Sequence, residues 1–485
     1  MEHNMVFNFE HTYQSLPTAF YKKVMPSAAL TPSLVLFNHA LAHELGVDVS
    51  KCSNEQLVEL FSGKRIFENA SPIAQAYAGH QFGGFTNLGD GRAVLLGEHR
   101  TPDEHIVDVQ LKGAGTTPYS RNGDGKATVS AMLREYIISE AMHFLGIATS
   151  RSLAVCTSGD TVWREEGYPG ALLTRIASSH IRVGTFEYAA HVQGKEALQA
   201  LLTYTINRHY PELSKADTPA LALLKKVMDK QINLICDWMR VGFIHGVMNT
   251  DNMSIAGETI DYGPCAFMNS YHPGTVFSSI DRNARYAFGK QPEIALWNLS
   301  RFAETLLPLI DADSKLSIEK AKEVLGTFSK QFNDAWLNIM AKKIGIANRH
   351  KEDEALIQEL LQLLQQHQAD YTNTFAQLGG AQLNEPIFEQ TEFIAWIAKW
   401  HNRIGASEML PEESLALMRK NNPLYIPRNH LVEEVLQQAQ ENDDLTKTNE
   451  LLKVLQQPYK YNKLQLNYVN VPSDFDASYQ TFCGT

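Results

Sequence analysis

The period of apolar and polar positions changes along the chain, and the changes mark out its parts. From about residue 80 to 112, short apolar runs broken by glycine, "FGGFTNLGDGRAVLLGE" and "HIVDVQLKGAG", predict a hairpin and a further strand. In the second run Val107, Val109 and Leu111 fall on one face, and Asp108, Gln110 and Lys112 on the other. The period then lengthens to that of a helix in "ATVSAMLREYIISEAMHFLG", with Gly146 placed to end it. Strand texture returns in "SRSLAVCTSGDTVWREEGYPGALLTRIA". The expected order is strand, strand, strand, helix, strand, strand. Before this block, residues 1–75 mix short helical patterns with loops.

Beyond about residue 190 the helical period dominates. In "LALLKKVMDKQINLICDWMRVG" one face collects Leu224, Val227, Met228, Ile232, Ile235 and Met239. "SIAGETID" predicts a short hairpin turning at Gly257–Glu258. Pro292 stands near the start of the helical run "PEIALWNLSRFAETLLPLI". Residues 315 to about 460 are mainly amphipathic helices, and the tail has little periodicity. The fold class is α+β, a small β-rich lobe followed by a larger helical lobe, with a site between them. Expected divisions are an extension over 1–75, the β-rich lobe over 76–190, the helical lobe over 191–440 and a tail over 441–485.

Composition narrows the function classes. At 485 residues, 44% hydrophobic and 20% charged, the chain is an ordinary globular protein able to bury a large core. A net charge of −11 opposes a broad nucleic-acid-binding surface. No apolar run is long enough to span a membrane, and no signal peptide is evident, so a cytoplasmic monomer is expected. Five cysteines without a C-x-x-C pair fit neither a zinc site nor a disulfide framework.

The chemistry concentrates in "HGVMNTDNMSIAGETIDYGP". His245 to Asn252 has the spacing of a protein-kinase catalytic loop, with Asp261-Tyr262-Gly263 standing where a kinase carries Asp-Phe-Gly. Val247 occupies the position of the kinase base. Asn252 and Asp261 offer hard oxygen ligands at the two ends of the expected hairpin, as Mg²⁺ prefers. Asp251 faces the same cleft on this reading; the plain alternative is a polar turn. Gly89 and Gly91 would let the backbone approach a phosphate, with Arg92 adding a cation. Glu135 lies on a largely apolar helix face and needs a partner, for which Lys112 is the nearest candidate. A strand lysine held by a helix glutamate positions ATP phosphates in kinases. Asp124 and Gly125, in "NGDGKAT", form either a turn or a second phosphate clamp. Arg175 and Arg182 suit a polyphosphate or a surface.

The runs "YAGHQFGGFTNLGDGRAVLLGE", "QLKGAGTTPYSRNGDGKAT" and "GFIHGVMNTDNMSIAGETIDYGP" resemble the selenoprotein O family over nearly the whole chain. The resemblance implies a protein-kinase-like bilobal fold that transfers AMP from ATP to Ser, Thr or Tyr hydroxyls of proteins. In that family ATP is turned end for end relative to a kinase, and uridylyl transfer from UTP is also implied. Carried over, Gly89, Gly91, Arg92, Lys112, Asp124, Gly125, Arg175, Arg182 and Asp261 contact the nucleotide. Glu135 holds Lys112. Asn252 and Asp261 bind Mg²⁺ or Mn²⁺, and Asp251 accepts the proton. A base four residues beyond Val247 would answer why Val247 is tolerated. The family's C-terminal Cys, here Cys483, is thought to form a redox link near the activation segment. In this chain the expected partner stretch, "GTVFSSID", holds no cysteine. Two other classes stay open: a kinase-like phosphotransferase, and a non-catalytic nucleotide binder.

Overall fold

The structure, a computed structural model, describes residues 7–482 apart from 463, 473 and 474. Its centre is an antiparallel sheet. The strands are β1 (Phe9–Glu10), β2 (Tyr21–Lys23), β3 (Leu34–Phe37), β4 (Ile73–Gln75), β5 (Ala78–Gln81), β6 (Gly84–Asn87), β7 (Ala93–Arg100), β8 (Ile106–Lys112), β9 (Ala127–Thr128), β10 (Arg151–Trp163), β11 (Gly167–Ala177), β12 (Phe243–Ile244) and β13 (Ala266–Phe267). The main sheet runs β2-β4-β7-β8-β11-β10-β3, with β1 on β7 and β9 on β11. Among the described residues β5 pairs only with β6, and β12 only with β13.

The expected strands and helix from 80 to 177 are present as β6, β7, β8, the helix Val129–Phe144, β10 and β11, with β5 and β9 as two strands not expected. Residues up to 75, expected as short helices and loops, carry α1 (His39–Glu44) and α2 (Asn54–Phe61) and in addition supply four short strands to the sheet. Each is two to four residues long. Such strands exist because β4, β7 and β10 present partners, so their own sequence carries little period. The glycine-rich hairpin is also displaced. Its turn lies between β5 and β6, and residues 88–92 lead from β6 into β7 without pairing the two.

The helices that position the site are α1 (His39–Glu44), α2 (Asn54–Phe61), α3 (Val129–Phe144), α4 (Val183–Tyr188), α5 (Lys195–His209), α6 (Pro219–Arg240) and α7 (Gln291–Ile310). On one face of the sheet Val109 and Leu111 of β8 pack with Leu41 of α1 and with Leu57 and Phe61 of α2. The other face lies against α3, whose Met132, Leu133 and Ile137 belong to a core shared with α6 and α7. Thr128 caps α3 through Oγ1, which accepts from Ala131 N at 3.2 Å, and Gly146 follows its end at φ 76°. The six apolar residues expected on one face of α6 are all buried. Each contributes about 1.5–3 kcal/mol by leaving water, so packing more than helix propensity holds α6.

α6 feeds β12 through Gly242, and β12 pairs with β13 at Phe243–Phe267 and Ile244–Ala266. This pair brings together the two arms of the stretch from His245 to Cys265. The hairpin expected within it does not form. Thr259 instead bridges to Thr149 and Ser254 to Arg182. The backbone groups are taken by neighbours, Ile255 N by Ile181 O at 3.0 Å and Thr259 N by Ala148 O at 2.9 Å. Further helices continue from Ser314 to Leu455. Among the described residues no helix is long and apolar enough to cross a membrane. Cys483 lies outside the described residues.

Candidate active site

β8 crosses the sheet with Asp108, Gln110 and Lys112 alternating onto one face, and Lys112 reaches α3. Lys112 Nζ donates to Glu135 Oε2 at 2.5 Å, so the expected strand–helix pair exists. Lys112 also reaches Asp261 Oδ1 at 2.6 Å. Register places Arg175 of β11 opposite Gln110. Its NH1 donates to Asp261 Oδ1 at 2.9 Å and Glu135 Oε1 at 3.2 Å, and NH2 to Gln110 Oε1 at 2.6 Å. Two cations and two carboxylates thus interlock across the junction of sheet and helical region. Burial pushes the Asp261 carboxyl up, but Lys112, Arg175 and Arg182 outweigh it and hold the group well below the usual range. Asp261 adopts φ 63°, an uncommon left-handed backbone for a residue other than glycine.

This cluster opens into a cavity of ≈ 1360 Å³. Its walls include Gly89, Gly91, Arg92, Lys112, Asp124, Gly125, Glu135, Arg175, Arg182, Asp251, Asn252 and Asp261, the full set nominated from the sequence. Val247 lines it too. The loop carrying Asp251 is splinted from behind. His245 Nε2 lies 3.0 Å from Ile260 O, and Gln291 and Asn298 of α7 bond the backbone at His245 and Met248. Asn252 Nδ2 donates to Val247 O at 3.0 Å.

Asp251 is buried, and among the described residues its Oδ1 has no hydrogen-bond partner. Desolvation pushes its carboxyl up to about 6, against the pull of Arg182 and the Gln81 amide. Arg182 is also buried. Its guanidinium stacks 4.2 Å above the Tyr77 ring and lies 3.6 Å from Asp90, leaving Nε and NH1 without hydrogen-bond partners. Arg182 lines the cavity, where a guanidinium suits phosphate oxygens.

The glycines prove to have local packing duties. A Cβ on Gly89 would sit 2.4 Å from the Tyr119 ring, and one on Gly125 would sit 2.1 Å from Gly115 O. Both have positive φ. They let the 88–92 connection and the 115–125 loop lie against each other at the cavity wall. Asp124 is exposed, binds Arg164 at 2.8 Å and accepts from Lys126 N at 3.0 Å.

Asp90, between Gly89 and Gly91, is a further residue of this wall. It is buried and accepts from Gln75 N at 3.1 Å and Gln110 Nε2 at 3.2 Å while facing Arg182. The run Gly-Asp-Gly-Arg held that signal, since a buried acid beside a phosphate site needs a cation. Gln110 was legible from its place on the Lys112 face. Among the described residues no three His, Cys, Asp or Glu side chains gather as a metal cage.

A cleft that sets buried cations beside a desolvated carboxylate is the equipment of a nucleotide-dependent transferase. Comparison with known proteins narrows the class. Residues 3–456 match the family model "Protein adenylyltransferase SelO". The chain is 51% identical over 486 residues to the protein nucleotidyltransferase YdiU of Brevibacillus brevis, covering 99% of this chain and 98% of that protein. It is 52% identical over 482 residues to the YdiU of Anoxybacillus flavithermus, covering 99% and 100%, and 52% over 480 residues to that of Syntrophotalea carbinolica, covering 99% and 98%. The chain belongs to the SelO family of protein adenylyltransferases.

Proposed function

We propose that this chain transfers AMP from ATP to Ser, Thr or Tyr hydroxyls of target proteins and releases pyrophosphate. The observation that carries the reading is Asp251, a desolvated carboxylate with an unpartnered oxygen, in the cleft where Val247 replaces the kinase base. Two features support a kinase-like, two-lobed arrangement: the Lys112–Glu135 pair on sheet and α3, and Asn252 and Asp261 on the helical side.

In this reading the acceptor hydroxyl oxygen bonds to the α-phosphorus of ATP. The bond from that phosphorus to the oxygen bridging the β-phosphate breaks, and its electron pair leaves with pyrophosphate. Asp251 takes the hydroxyl proton; a carboxyl near 6 retains proton affinity close to neutral pH. Lys112, Arg175 and Arg182 stabilise the departing charge. Asn252 and Asp261 would hold Mg²⁺ or Mn²⁺, which when bound orients and neutralises the polyphosphate. The residues fit such an ion: both are hard oxygen donors, Asn252 commits its amide nitrogen to Val247, and the two protein cations on Asp261 share Oδ1. UTP is a second donor under the same chemistry.

Incubation with α- and with γ-labelled ATP tests the reading. Protein-bound label from the α position alone is expected. Label from the γ position would make the chain a phosphotransferase, and label from neither a binder.

A further inference from the structure

The loop carrying Asp251 is fastened to the β5–β6 hairpin by a buried carboxylate that no step above uses. Glu187, on α4, has no exposed surface. Its Oε1 accepts from His80 Nδ1 at 2.5 Å, and its Oε2 accepts from Thr250 Oγ1 at 2.6 Å. The backbone N–H of His80 donates back to Thr250 Oγ1 at 2.7 Å, so the hydroxyl is engaged as donor and acceptor. One residue earlier, Asn249 Oδ1 accepts from Phe82 N at 3.0 Å and Tyr286 OH at 2.6 Å. The two residues before Asp251 are therefore pinned to a hairpin some 170 residues away in sequence.

The walls around Asp251 leave little room. A Cβ on Gly79 would lie 2.4 Å from Asp251 Oδ1. One on Gly184 would lie 2.0 Å from Ala78 O and 3.3 Å from Asp251 Cα. Neither glycine has a left-handed backbone, so what these positions require is space. An isolated carboxylate at Glu187 would be expensive to bury, which makes its two donors obligatory partners. Its removal would release Thr250 and His80 together.

We propose that Glu187 is a positioning residue for the transfer reaction: through Thr250 and His80 it fixes the Asp251 carboxylate in the gap between Gly79 and Gly184, at the wall of the cleft. The inference rests on Asp251 being the proton acceptor. A misplacement of about 1 Å at a reacting group costs on the order of 10²-fold in rate. Glu187 touches no cavity wall, so its effect is on the geometry of the base and not on nucleotide binding.

The test is single-turnover AMP transfer at saturating ATP, with calorimetric ATP affinity and a thermal melt for each variant. Thr250→Val keeps the shape and removes the hydroxyl. It should lower the rate per folded molecule by about 10²-fold, with ATP affinity within a few-fold and a lower melt, because a buried Glu187 oxygen loses its donor. Thr250→Ser keeps the hydroxyl and should recover most of the rate. Glu187→Gln should resemble Thr250→Val. A wild-type rate in Thr250→Val, no recovery in Thr250→Ser, or a loss of ATP affinity in step with rate would each overturn the proposal. Should Thr250→Val fail to fold, Gly79→Ala decides: a methyl aimed at Oδ1 must slow transfer without weakening ATP binding, and a wild-type rate overturns the idea. Asp251→Asn separates the two levels. If it stays active, the base assignment itself fails. If it is inactive while Thr250→Val and Gly79→Ala run at wild-type rates, only the positioning role falls.

Discussion

Strand β8 carries two charged clusters on one face, and their contrast explains what makes a site. At one end Asp108 Oδ2 accepts from His180 N and Nδ1, both at 2.9 Å, and Oδ1 accepts from Arg208 at 3.0 Å. Arg208 also donates to Ile106 O and Ser178 O. None of Asp108, His180 and Arg208 borders the cleft. At the other end, four residues on, Lys112 joins Glu135, Asp261 and Arg175 with similar distances, but the Asp261 side chain is 27% exposed. That end opens into the cavity, whose wall also carries Arg182 and Asp251. One cluster joins strand to connection. The other is a comparable network left open on the side where a polyphosphate fits.

The contrast breaks most visibly under truncation. Asp261→Ala should lower transfer by at least about 10²–10³-fold, as loss of a preorganised electrostatic group does, while the protein stays folded. Asp108→Ala should destabilise the fold by roughly 3–5 kcal/mol, because it strands a buried arginine, yet leave turnover per folded molecule near wild type. Thermal melts and active-site-normalised rates measure both. If both variants behaved alike, the two ends of β8 would not differ in role.

A subtler break is energetic coupling. Lys112→Ala and Glu135→Ala should be non-additive by roughly 0.5–3 kcal/mol in a double-mutant cycle on transition-state free energy. Lys112→Ala with Asp108→Ala should add to within about 0.5 kcal/mol. Strict additivity in the first cycle would mean that the 2.5 Å pair does not act as a unit.

Smaller still is a stability effect that runs against function. Asp251 has a folded carboxyl near 6, raised above its usual 3.8 by burial. A raised acid leaves folding unpenalised below its unfolded value, and stability is lost as pH rises through the folded one. Asp251→Asn should therefore stabilise the ligand-free protein above pH 7 by about 1–3 kcal/mol, the gain closing as pH falls from 6 towards 4. Melts of both proteins across that range check the sign. A destabilised Asn variant at pH 7.5 would show that Asp251 is held by favourable contacts, as Asp108 is.

Much of the open cluster was legible because it follows period and spacing. Alternation put Lys112 on the polar face of its strand, and the apolar surroundings of Glu135 demanded a cation. The kinase-like spacing from His245 to Asp261 located the loop. What was missed depends on contacts between distant segments. Asp90 matters because Gln75, Gln110 and Arg182 converge on it, and Glu187 because His80 and Thr250 do. The strands before residue 75 are too short to show a period and are stabilised by their partners. The stretch 254–261 had a turn signal, but its arms found partners at 148–149 and 181–182, which outcompeted the local hairpin.

The central claim is that Asp251 is the proton acceptor in the open cluster. Single-turnover AMP transfer by Asp251→Asn at saturating ATP, with calorimetric ATP affinity, tests it most directly. Asn keeps the size and loses the proton acceptor, so the account predicts a fall of roughly 10²- to 10⁴-fold with affinity within a few-fold of wild type. A rate within a few-fold of wild type would contradict it and leave the substitution at Val247 without a chemical explanation.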